Sequence, residues 1–353
     1  MRFPLWSAGL LTVFSAMGLI AQEQPASSKD EPIHTLHVYT NLIQVPTLVL
    51  SGNRQPVQTP ISEKRFAVSI DYGPWFPVTH VRPEGNDPIS ISFLLDTNET
   101  ELLRGISEGI AGLAPLFLNA RDHVSIYVMG CGLTRSLNDV PVAGGILKVG
   151  VDAALNAWKT RRDRKDATCK QLVHLWDTLG YLGTELSQLP GRRVIVVVTD
   201  GRDRGSTRPW NDVRSYLQAE GVAVFGVTNL PVSVSQWNSF GRFSSDQNTL
   251  QAMCELTGGV MIQTYPALIA KTLQGMITKL RGRYIVEFPR PSNSTAGAHD
   301  MRVKIAKGED LFVRPSGISI PLPDPELEKD PSTIHADTAV APEQGNRPIL
   351  KPK

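Results

Sequence analysis

Cysteine is scarce: Cys131, Cys169 and Cys254 are the only three in 353 residues. An odd number excludes a complete disulfide framework, so the fold must rest on its apolar core. Neither charge is in surplus either, with 36 Lys and Arg against 34 Asp and Glu for a net charge of +2. That balance excludes the electrostatic footprint of a nucleic-acid or anionic-membrane binder. The seven histidines are scattered and no pair has zinc spacing. No Gly-x-Ser-x-Gly nucleophile elbow occurs. Gly130-Cys-Gly132 and Gly258-Gly259 are too short to cradle phosphate, and no Gly-Lys-Ser/Thr follows them.

What remains is ordinary globular composition, 41% hydrophobic and 20% charged, long enough for two domains or one large one. The first residues read as a targeting segment. Arg2 precedes an apolar stretch that ends at Ala21, shorter than the roughly 20 apolar residues a span needs. Residues 1–21 are therefore expected to be a cleaved signal peptide. The remainder should be exported, periplasmic or secreted, with no membrane span after cleavage. Cys254 lies at helical spacing among apolar neighbours and reads as core. Cys131 and Cys169 occupy loop-like stretches where they are free to pair, although nothing in their spacing demands it.

Composition divides the rest. Residues 22–33 are polar and read as a flexible leader, and 321–353 are proline-rich and charged and read as a disordered tail. Residues 34–86 alternate apolar and polar, as do the segments of 284–320, so both read as short strands. Between them, 88–283 alternates buried strands with helices. Ile89–Leu95, Val194–Val198 and Val222–Val227 are almost uniformly apolar, as strands covered on both faces must be. Helical spacing runs from Leu102 to Leu116, from about Gln171 to Leu189, over Trp210–Ala219, near Thr249–Leu256 and over Ala267–Leu280. The expected fold class is α/β, a doubly wound and mostly parallel sheet flanked by helices, inserted into a small β-sandwich formed by the N- and C-terminal strands.

Ligands of doubly wound sheets bind at the carboxyl ends of the strands, at the switch point. Two acidic loops are expected there, Asp96-Thr-Asn-Glu-Thr100 and Thr199-Asp200-Gly201. Alternate oxygen-bearing side chains, Asp96, Asn98 and Thr100, can converge on Asp200, and such hard donors suit Mg²⁺, Ca²⁺ or Mn²⁺. The plainer alternative is that these residues cap a helix and make a turn. Arg161–Asp166 and Arg202-Asp-Arg204 read either as solvated loops or, lying near the same rim, as the border of a ligand surface.

Phe93–Thr100 and Val194–Gly201 make residues 88–283 resemble a von Willebrand factor type A domain. The flanks Val45–Leu50, Arg65–Gly73, Arg283–Pro289 and Leu311–Gly317 narrow the resemblance to the bacterial VWFA-related Acidobacterial domain family. It implies a metal-ion-dependent adhesion site, patterned Asp-x-Ser-x-Ser, then a Thr, then an Asp. Asp96 and Asp200 match, while Asn98 and Thr100 replace the serines and keep an oxygen. The Thr position falls on Val173, which has no donor atom. Thr168 would serve only if five residues looped out, against the register kept by Pro190–Arg193. The resemblance thus implies a degenerate site for Mg or Mn in a non-enzymatic binding module, whose protein partner offers an acidic side chain. Two rivals remain: a metal-free scaffold of the same fold, and a metal-dependent hydrolase with His174 as its one candidate base.

Overall fold

The computed structural model describes residues 42–130, 132–142, 145–163, 174–230, 249–291, 297–320 and 344–345. The expected signal peptide, the leader, Thr168, Val173, Cys131 and Cys169 lie outside them. In chain order the strands are β1 (Leu42–Leu50), β2 (Phe66–Ile70), β3 (Phe76–Pro77), β4 (His80–Pro83), β5 (Ile89–Asp96), β6 (His123–Gly130), β7 (Gly132–Pro141), β8 (Arg192–Val198), β9 (Val222–Thr228), β10 (Met261–Gln263), β11 (Tyr284–Pro289), β12 (Gly297–His299), β13 (Met301–Ile305), β14 (Phe312–Pro315) and β15 (Ile318–Ile320). The helices are α1 (Ile106–Ala111), α2 (Ile146–Asp163), α3 (Leu175–Ser187), α4 (Trp210–Ala219), α5 (Thr249–Leu256) and α6 (Ile269–Arg281).

Six strands form the central sheet in the order β10-β9-β8-β5-β6-β7. All neighbours are parallel except the edge strand β7, which runs antiparallel to β6. The chain starts in the middle at β5, moves to one edge, then returns to β8 and moves to the other, which is doubly wound order. Side-chain alternation along the strands feeds two cores. Phe93, Leu95, Val194, Val196, Val198 and Phe225 pack with α1, α2 and α6. Leu94, Ile195, Val197 and Val224 pack with α3, α4 and α5. Burial on both faces explains the uninterrupted apolar runs. Cys254 belongs to the second core, and burial pushes its thiol pKa up.

The flanking strands pair across the central segment. β1 lies between β11 and β14, and β11 also pairs with β4, all antiparallel. β2 pairs with β13 and β3. Val45, Val49, Phe66, Val68, Val286, Phe288 and Ile305 share one apolar cluster between these two sheets. Leu48, Leu50 and Phe312 point the other way, into the core shared with α6.

Three features differ from the sequence reading. The helix expected from Leu102 to Leu116 shrinks to α1, because Gly105 adopts φ +77° before it and Gly112 caps it. Leu102 and Leu113 remain buried in turns, while Leu116 is exposed. The hairpin strand β7 and the 18-residue helix α2 were not expected at all. From the expected tail, Gln344 and Gly345 sit on β2: the Gly345 N–H donates to Ile70 O, and Gln344 Nε2 donates to Asp71 Oδ2. No helix among the described residues is long and apolar enough to cross a membrane.

Candidate functional site

Parallel pairing of β5 with β8 brings their carboxyl ends together at the switch point. Asp96 closes β5 and is fully buried. Its Oδ2 accepts the Thr199 hydroxyl at 2.6 Å, and its Oδ1 accepts the Asn98 N–H at 2.9 Å. Burial, with Asp200 adding like charge, pushes the Asp96 pKa up against those two bonds. Asp200 follows β8, and Gly201 after it takes φ +77° to turn the chain.

The structure thus brings Asp96 and Asp200 within electrostatic reach of each other. Asn98 and Thr100 are exposed on the turn after β5, and Asn98 contributes its backbone N–H to Asp96. The alternate-position pattern stepped over Glu99. That side chain is buried, and burial together with Asp200, Asp96 and Glu101 raises its pKa from 4.5 to about 7. Three acidic groups therefore act on one another at one strand junction. A wall of this junction is Gly130 at the end of β6. A Cβ there would lie 2.4 Å from Thr97 Oγ1 and 3.0 Å from the Trp158 ring, so only glycine admits both.

The loop after Asp200 is built rather than merely solvated. Asp203 Oδ1 accepts the Leu175 N–H at 2.8 Å, and Ser206 Oγ accepts those of Trp176 at 3.0 Å and Asp177 at 3.1 Å. These bonds satisfy the free N–H groups at the start of α3. In return Asp177 accepts the Thr207 and Arg208 N–H groups at 2.9 and 3.0 Å. Burial pulls the Asp177 pKa up, but these bonds outweigh it and leave it below the ordinary range. His174 stands just before α3 with Nδ1 3.8 Å from Asp177 Oδ2.

Within that loop Arg204 Nη2 donates to Asp200 Oδ2 at 3.0 Å, and the Arg202 N–H donates to Asp200 Oδ1 at 2.8 Å. The sequence offers Arg202 and Arg204 as solvated charges or as the border of a ligand surface, without a partner. Their role depends on folding of the loop, and the four-residue spacing from Asp200 was the one signal in the sequence.

No family model matches the chain, and no curated protein matches it. Part of it is similar to solved structures. One is proximal thread matrix protein 1 from the mussel byssus, at 12% identity and TM-score 0.41, covering 60% of this chain and 50% of that one. A second structure of that protein has a zinc-occupied MIDAS motif, and here identity is 13% and TM-score 0.39, over 56% and 49%. An aerotolerance-related membrane protein from Bacteroides fragilis gives 16% identity and TM-score 0.37, over 54% and 99%. The chain spans about half the length of the mussel protein.

Proposed function

We propose that this chain is an exported, non-enzymatic protein-binding module that receives its partner at the carboxyl-end rim of the central sheet. The observation that carries the reading is the meeting of Asp96 and Asp200 at the switch point, where doubly wound sheets bind ligands. Export is read from residues 1–21. In the same reading the strands of 34–86 and 284–320 are the halves of a small β-sandwich that carries the inserted domain, 88–283.

The donors this reading assigns to the rim are two carboxylates, an amide and a hydroxyl, all hard oxygens that suit a hydrated divalent cation. Asp96 and Asp200, with Asn98 and Thr100, would hold Mg²⁺ or Mn²⁺. Among the described residues no three His, Cys, Asp or Glu side chains converge as a metal cage, so water would complete the shell. When bound, the cation supplies an open position for an acidic side chain of the partner. Asp96 holds its place through Thr199 and Asn98, and the loop capping α3 fixes the backbone around Asp200. The Asp200–Arg204 pair favours a second reading, a metal-free scaffold that binds through its rim loops. A hydrolase would need a base beside the acids, and His174 is engaged at the start of α3 beside Asp177.

Calorimetric titration of residues 22–353 with MgCl₂, MnCl₂ and ZnCl₂ tests the metal. Zinc is included because the mussel protein's motif holds it. Binding should be lost in Asp96→Ala and tightened in Val173→Thr, which returns a hydroxyl. No binding at millimolar Mg²⁺ or Mn²⁺ in the wild type or in Val173→Thr would leave the metal-free scaffold. An array of acidic peptides, probed with Mn²⁺ and again with EDTA, then tests the partner chemistry.

A further inference from the structure

We infer that Arg204 is the site's built-in cation, so that its guanidinium and a divalent ion are mutually exclusive occupants of the place beside Asp200. The inference rests on the metal reading above and names how that site is regulated. Arg204 Nη2 reaches Asp200 Oδ2 at 3.0 Å, and the Asp200 side chain is 12% exposed. This differs from an ordinary surface pair, because Asp96 lies next to it fully buried and adds like charge. Arg204 brings positive charge to these carboxylates at hydrogen-bond distance, whereas Arg202 Nε stands further off, 3.9 Å from the same Asp200 oxygen with its side chain 67% exposed. A divalent ion at the same oxygens would face the guanidinium at close range, where like charges repel.

The loop makes such an exchange inexpensive in structure. Asp203 and Ser206, on either side of Arg204, are fastened to the first turn of α3. Gly205 packs under the His174 ring, where a Cβ would lie 3.0 Å from Cε1. The backbone at 204 is therefore fixed. The Arg204 side chain is 38% exposed, so it can swing outward by rotamer change alone. The apparent metal association constant is then the intrinsic one multiplied by the fraction of molecules in which the guanidinium has left Asp200.

The test is titration of residues 22–353 with MnCl₂ for wild type, Arg204→Met and Arg204→Lys, with thermal unfolding of each in EDTA and in excess Mn²⁺. Arg204→Met should bind Mn²⁺ at least tenfold more tightly than wild type. Arg204→Lys keeps the charge but loses the planar fork, and should fall between them. In EDTA Arg204→Met should melt below wild type, and excess Mn²⁺ should reverse that order. Equal affinity in wild type and Arg204→Met, or weaker binding in the variant, overturns the inference and leaves the metal reading standing. Absence of binding in all three proteins overturns both.

Discussion

The two ends of the central sheet treat charge in opposite ways. At the amino ends, where the chain passes from β4 to β5 and from α6 to β11, each acid has a base. Glu84 takes both Nε and Nη2 of Arg283, at 2.6 and 2.8 Å, and the two side chains are 0% and 2% exposed. Asp122 is held by Arg281, and Asp87 by Arg82 at 2.8 Å and Arg192 at 3.7 Å. At the carboxyl ends Asp96, Glu99 and Asp200 lie within electrostatic reach of one another, and the bases Arg204 at 3.0 Å and Arg202 at 3.9 Å reach Asp200 alone among them. Balanced charge marks a joint that must hold. Excess acid is what the proposed cation site rests on, in line with the clustering of perturbed groups at functional sites.

The contrast can be broken first at the joint. Arg283→Met should cost about 3–5 kcal/mol, because it leaves Glu84 buried without its counter-charge. Urea denaturation would show this as a large fall in midpoint with an unchanged slope. A shift of a few tenths of a molar would mean that the Glu84–Arg283 pair does not hold the joint.

The next largest effect belongs to the rim and has the opposite sign. Glu99 has its folded pKa raised from 4.5 to about 7, so the folded state holds its proton more tightly than the unfolded chain. Stability from this group is therefore full below about pH 4.5 and is lost as pH rises through about 7. At about 1.4 kcal/mol per pH unit, the penalty at pH 8 is at most about 3.5 kcal/mol, and solvent screening at the rim makes it smaller. Glu99→Gln should remove it, raising stability at pH 8 and flattening the profile of denaturation midpoint against pH. A profile of unchanged slope in the variant would place the titration elsewhere.

A smaller effect sharpens the comparison. Asp203→Ala removes the oxygen that caps Leu175 and should cost about 1 kcal/mol. The thermal midpoint should fall by a few degrees, and amide exchange should quicken at the start of α3 and across 200–208. Exchange confined to α3 would separate the loop from the helix.

Much of this framework is legible in the sequence because double-sided burial leaves a plain signature. The apolar runs give β5, β8 and β9, and α4 and α5 begin and end where their spacing puts them. β7 is missed because Gly132–Pro141 is an edge strand with largely polar, exposed residues and no apolar alternation. The contact of Gln344 with Asp71 joins residues far apart in a stretch whose composition suggests disorder. At the site, Asp96 and Asp200 follow from strand ends and turn chemistry. Glu99 is hidden by the rule of alternate positions, since its side chain turns inward between two exposed neighbours. Arg204 resembles any surface arginine until the loop folds back on α3.

The central claim is that the acid excess at the rim is a cation site. Its most direct test is an anomalous-scattering map from crystals of residues 22–353 grown in millimolar MnCl₂. The account predicts one strong peak between Asp96 and Asp200, with the Arg204 side chain turned away from Asp200. A map with no peak there, and with the Arg204–Asp200 pair intact, would contradict it.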